Sequence, residues 1–89
     1  MSNMEPIKVA NNWWEYIKEH PNFTGCLIDK DNYIVWYKNG KMHREDGPAW
    51  EYANGSKAWW LNDVRYTEQD WKIAMRKITL ERILKKING

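Results

Sequence analysis

The chain has 89 residues, room for one domain and not for two. Fourteen Lys and Arg stand against twelve Asp and Glu, a formal charge of +2, which excludes both the basic surface of a dedicated duplex-DNA binder and the acidic surface of a DNA mimic. Seven Trp, five Tyr and one Phe supply bulky rings for a small core, so a mean hydropathy of -0.88 does not signal disorder.

The first ten residues are weakly patterned, with Pro6 a candidate first-turn helix residue. Asn11 or Asn12 can cap a short helix whose Trp13, Tyr16 and Ile17 fall at i, i+3 and i+4 and share one face. His20-Pro21 ends it, because proline disfavours the helical conformation in the residue before it. Residues 1–22 therefore form an N-terminal helical segment.

From residue 25 the pattern changes to strands and tight turns. Asn32-Tyr33-Ile34-Val35-Trp36-Tyr37-Lys38-Asn39-Gly40 can be laid on the stretch from Asn54 to Asp63. The offset is about 22 or 23 residues, the length of one strand–turn–strand unit. Asp31-Asn32, Asn39-Gly40, Asn54-Gly55 and Asn62-Asp63 are residue pairs that accept positive φ between apolar runs. The spacing predicts strands near Leu27–Asp29, Tyr33–Tyr37, Ala49–Tyr52 and Lys57–Leu61. The expected fold class is α+β: over residues 25–66, a four-stranded antiparallel meander of two hairpin repeats, placed between a short N-terminal helix and a long C-terminal one.

Thr67 followed by Asp70 fits the acidic variant of a capping box and opens a helix over 67–88 that stops at Asn88-Gly89. Trp71, Ala74, Met75 and Ile78 share one face of it. Ile73, Leu80, Ile83, Leu84 and Ile87 lie on nearly the opposite face. Two stripes imply two surfaces to cover.

The segment Asn39-Gly40-Lys41-Met42-His43-Arg44-Glu45-Asp46-Gly47-Pro48-Ala49 resembles the unit of MORN-like repeat proteins, which are common among small proteins of tailed bacteriophages. Trp59-Trp60-Leu61-Asn62-Asp63 and then Thr67-Glu68-Gln69-Asp70-Trp71 look like the closing element of those chains. The resemblance spans roughly residues 25–75. Asp63 stands where the family has Gly, and Tyr66-Thr67 where it has His-Arg, so the second unit hands over to the helix. It implies a tandem-hairpin scaffold and a phage origin, and says little about activity.

Catalytic chemistry is weakly supported. His43-Arg44-Glu45-Asp46 offers a base, a cation and two carboxylates, but no second cluster elsewhere would complete a hydrolytic site. Turn chemistry accounts for it instead: Asp46-Gly47-Pro48 links two hairpins while His43 and Glu45 bond its backbone. One Cys and two His give no zinc spacing, and no phosphate loop or nucleophile elbow appears. The chain is expected to be non-enzymatic and to need no metal or cofactor.

Large rings alternate onto both sheet faces, so some are expected at a partner surface: Trp36, Tyr37, Trp50, Trp59 and Trp60. Ile73, Leu80, Ile83, Leu84 and Ile87, with Arg76 among the flanking charges, complete the candidate partner-binding set. Left exposed, each of those apolar side chains would forfeit roughly 1.5–3 kcal/mol relative to burial, which favours a covering partner. The expected function is a phage-encoded module that inhibits or modulates a bacterial host or defence protein and self-associates as a homo-oligomer. The alternative is an aromatic-lined sponge for a nucleotide, or a binder of single-stranded nucleic acid. The lone Cys26 and the lack of a leader or of an 18-residue apolar run point to the cytoplasm of an infected cell, away from membranes.

Overall fold

The computed structural model describes residues 5–88; the first four residues and Gly89 lie outside the described residues. In chain order the elements are β1 (Ile7–Lys8), α1 (Trp13–Glu19), β2 (Gly25–Ile28), β3 (Ile34–Lys38), β4 (Lys41–Met42), β5 (Trp50–Glu51), β6 (Lys57–Leu61), β7 (Val64–Tyr66) and α2 (Glu68–Asn88). The two helices stand where their sequence signals put them. Thr67 Oγ1 accepts the Asp70 N–H at 3.1 Å and starts α2. Asn12, although extended, makes no side-chain cap; the buried Asp29 takes that role, its Oδ2 accepting the Trp13 N–H at 3.1 Å.

The sheet corrects the predicted four-stranded antiparallel meander. Among the described residues seven strands assemble in the order β1-β2-β3-β5-β6-β7, with β4 paired to β3 off that path. The pairing is mixed: β1 runs parallel to β2, with Ile7 opposite Leu27, whereas the remaining pairs are antiparallel. One edge of β3 also serves two strands. Its C-terminal end pairs β4 through Tyr37↔Met42, and its N-terminal end pairs β5 through Val35↔Trp50. This is no simple tandem of hairpins, so the resemblance to MORN-like repeats does not hold, and a phage origin loses the support it drew from that resemblance.

Local turn chemistry still shapes the ladder. Asn32, Asn39, Asn62 and Asp63 have φ between 51° and 68°, and Gly40 and Gly55 have φ of 80° and 92°. Gly40 is constrained twice, since a Cβ there would sit 1.9 Å from the Pro21 carbonyl oxygen. The segment after α1 thus packs directly on the β3–β4 turn, and the Gly40 N–H donates to Phe23 O at 2.9 Å.

The core lies between α1 and one sheet face. Leu27, Val35, Tyr37, Met42 and Ala49 are buried, with Trp13, Tyr16 and Ile17 of α1 packed against them. Cross-strand pairing puts Leu27, Val35, Trp50 and Ala58 on that face. Alternation sends Trp36 and Trp59 to the other. There α2 docks, through the rings of Trp71 and Trp59, 4.8 Å apart.

Candidate functional site

The motif that drew attention in the sequence forms a seven-residue excursion that leaves and rejoins the sheet at one residue. The His43 N–H donates to Trp36 O at 3.0 Å, and the Trp36 N–H donates to Ala49 O at 2.8 Å, so residues 43–49 loop out opposite Trp36. Arg44 holds the loop's shape. Its Nε donates to Asp46 Oδ1 at 2.8 Å, its Nη1 donates to Pro48 O at 3.1 Å, and its guanidinium lies 4.0 Å over the Trp36 ring. A Cβ at Gly47 would meet that guanidinium at 3.0 Å, which explains the glycine. Arg44, not His43, is therefore the side chain that bonds the loop backbone.

His43 is buried and engaged at both nitrogens. Nδ1 accepts the Asn62 N–H at 3.0 Å, which fixes the proton on Nε2, and Nε2–H donates to Glu45 Oε2 at 2.8 Å. Glu45 in turn accepts two bonds from Arg82 of α2, at 2.8 and 3.0 Å. The Arg82 bonds hold the Glu45 carboxyl down at about 2, against the opposing effect of partial burial and with help from His43. Trp71 adds a second strap, its Nε1–H donating to Arg44 O at 3.1 Å. A cleft of about 480 Å³ lies between the loop, Trp36 and Lys38 on the sheet, and Met75, Thr79 and Arg82 on α2. Carboxylates already match both of its guanidinium groups: Asp46 and Glu51 for Arg44, Glu45 for Arg82.

Cys26 and Tyr37 are buried. Burial pushes the Cys26 thiol up to about 11, partly offset by Arg44, and pushes the Tyr37 phenol up to about 12, with the Asp63 carboxylate adding to it. Among the described residues no group of three His, Cys, Asp or Glu side chains is placed to hold a metal ion. No helix of the described residues is long and apolar enough to cross a membrane.

The candidate partner-binding residues fall into three groups. Tyr37 is in the core, and Trp59 is covered by Trp71. Trp36, Trp50 and Trp60 are half-buried, and their indole N–H groups are buried without an acceptor among the described residues. Trp50 stacks on Tyr52 at 4.8 Å and 14°, with Tyr33 and Trp13 edge-on to it. The third group is the outer side of α2. Ile73, Leu80, Ile83, Leu84 and Ile87 are 48–72 % exposed, and Arg76 beside them is exposed too. Helical geometry explains the division: at about 100° per residue, Leu80 lies about 180° around from Trp71. Trp71, Met75, Ile78 and Arg82 face the sheet and loop, so the second stripe faces away from the protein's own core.

Comparison with protein-family models, with curated proteins and with solved structures finds no match for this chain. The functional reading therefore rests on geometry. Two contributors were missed in the sequence: Asp29, which accepts the N–H groups of Trp13, Asp31 and Tyr33, and Trp71 as a hydrogen-bond donor. For Asp29 a signal existed, since Asp commonly bonds the backbone two residues on at the start of a turn, here one that reaches Asn32 three positions later.

Proposed function

We propose that the chain is a non-enzymatic protein-interaction module whose docking surface is the outer face of α2. The observation that supports this is the exposure of five large aliphatic side chains along α2, centred on the side away from Trp71. A contiguous apolar patch of this kind on a small monomer marks an interaction site. The inner face holds the helix in place through Trp71 and Arg82, so the outer face is presented on a fixed support rather than on a loose tail. Catalysis through His43 is disfavoured, because its lone pair is taken by the Asn62 N–H and its ring N–H by Glu45.

The test is the size of the species that contains the chain in a clarified extract. Wild type is expected to elute well above its 10.8 kDa mass, and a Leu80→Glu/Leu84→Glu double variant to elute as a folded monomer with unchanged far-UV circular dichroism. Equal elution of the two would remove the reading. A bacterial host or defence protein, the partner expected at first, is one occupant this experiment can reveal.

One observation favours a second reading, an aromatic-lined site for a nucleotide or unpaired base. Trp50 and Tyr52 form a near-parallel stack beside Tyr33, and the Trp50 indole N–H has no acceptor there. Saturable quenching of tryptophan emission by a nucleotide, lost in Tyr52→Ala, would carry that reading. Unchanged emission would end it.

A further inference from the structure

Resting on the α2 docking reading, we infer that the occupant of the outer face is a groove of another protein, apolar along the last two turns of the helix and carrying carboxylates at the turn before them. The face repeats every seven residues. Ile73, Leu80 and Ile87 form its midline, drifting about 20° per step. Ile73 and Leu80 are each followed, three and four residues on, by a pair that straddles the midline. After Leu80 the pair is Ile83 and Leu84; after Ile73 it is Arg76 and Lys77. All of these side chains are exposed. Leu80, Ile83, Leu84 and Ile87 thus have the i, i+3, i+4, i+7 spacing with which a helix fills an apolar groove. One repeat earlier, about 10 Å along the axis, the same positions carry two cations.

Those cations lack a complement on their own helix. Glu68 holds Lys72 at 3.5 Å and Glu45 holds Arg82 at 2.8 Å, whereas no carboxylate of α2 stands within one turn of Arg76 on either side. Glu81 follows Lys77 by one turn, which leaves Arg76 the stronger claim on an outside carboxylate. From Lys72 to Lys86 the helix holds six of the chain's 14 Lys and Arg against one of its 12 Asp and Glu, so it also attracts an acidic partner at long range. The change of chemistry along the axis tells the occupants apart. A second copy does not match it: antiparallel about Leu80 it would lay Arg76 and Lys77 against Leu84 and Ile83, and parallel in register it would lay them against themselves. A lipid surface is uniform along a helix lying on it and rewards an unbroken apolar stripe with the cations on the polar side. A folded protein can change from apolar to acidic over that one step.

The test follows the species that contains the full chain in a clarified extract. Arg76→Glu/Lys77→Glu should fall from the large species to the 10.8 kDa chain mass, with unchanged far-UV circular dichroism. Lys85→Glu/Lys86→Glu alters the charge equally, but at about 140° and 120° around from Leu80, and should elute with wild type. Photoreactive residues then read the groove. An adduct from one replacing Ile87 should map to an apolar peptide of the partner, and an adduct from one replacing Ile73 to a peptide containing Asp or Glu. If Arg76→Glu/Lys77→Glu keeps the large species while Leu80→Glu/Leu84→Glu loses it, the acidic end is overturned and the docking reading stands. Loss in both charge-reversed variants also overturns the acidic end, since bulk charge alone would then explain it. A dimer of the purified chain in light scattering would put a second copy there instead, and sedimentation of the purified chain with phosphatidylglycerol vesicles would put a lipid there; either overturns the protein groove. Wild type at the single-chain mass in extract would remove the docking reading itself.

Discussion

Arg82 reaches 37 residues back along the chain to donate two hydrogen bonds to Glu45, and this pair joins the second half of α2 to the loop that Trp36 closes. The folded state holds the Glu45 carboxyl at about 2, below its ordinary 4.5, chiefly through Arg82. A depressed carboxyl stabilises the fold fully above its ordinary value and loses that contribution as pH falls through the folded one. Glu45→Gln should therefore melt a few degrees below wild type at pH 7, with the gap closing between pH 4.5 and pH 2. Thermal scans across that window check it; a gap independent of pH would contradict it.

Trp71 anchors the first half of the same helix. Trp71→Phe keeps the ring over Trp59 but leaves the Arg44 carbonyl without its donor, at a cost of about 1 kcal/mol. Trp71→Ala also empties the contact and should cost about 3–5 kcal/mol. Urea denaturation separates the two. In hydrogen exchange, Trp71→Ala should further lose amide protection throughout α2.

Asp29 should behave as a structural residue despite its charge. Its carboxylate accepts three backbone N–H groups, tying the start of α1 to the β2–β3 turn. Asp29→Ala orphans all three and should cost about 3 kcal/mol or more, whereas Asp29→Asn, with one acceptor oxygen, should fall between. Chemical denaturation of the three proteins gives the order directly.

Cys26 should be chemically silent while the protein is folded. It is buried in β2, and its thiol is pushed up to about 11, so almost no thiolate exists at pH 8. Ellman's reagent should react at the pace of global unfolding and go to completion in guanidinium. Fast reaction in native buffer would place the β2 strand nearer solvent than described.

What the sequence made legible was local. Asn39-Gly40 and Asn62-Asp63 announce their turns because few other residues tolerate positive φ, and Thr67 announces α2 through a bond to a residue three positions on. The two-sided character of α2 was legible for the same reason, since a 3.6-residue period needs no knowledge of the rest of the fold. β1, β4 and β7 were not legible. Each has only two or three residues, too few for alternation to register, and β1 pairs in parallel with a strand on the far side of α1. The reach of Arg82 to Glu45 was equally hidden, because nothing near either residue specifies a contact across half the chain. The likeness to hairpin repeats misled because similar turns can serve different strand pairings: the His43–Ala49 excursion lets β4 and β5 share β3, where a tandem repeat would start a new hairpin.

The most direct measurement of the docking surface is photo-crosslinking in cells from two positions on α2. A photoreactive residue replacing Arg76, at the edge of the apolar stripe, is expected to give a discrete protein adduct. One replacing Lys85, exposed but about 140° around the helix from Leu80, is expected to give none. The same adducts from both positions, or none from Arg76, would contradict a docking surface on the outer face of α2.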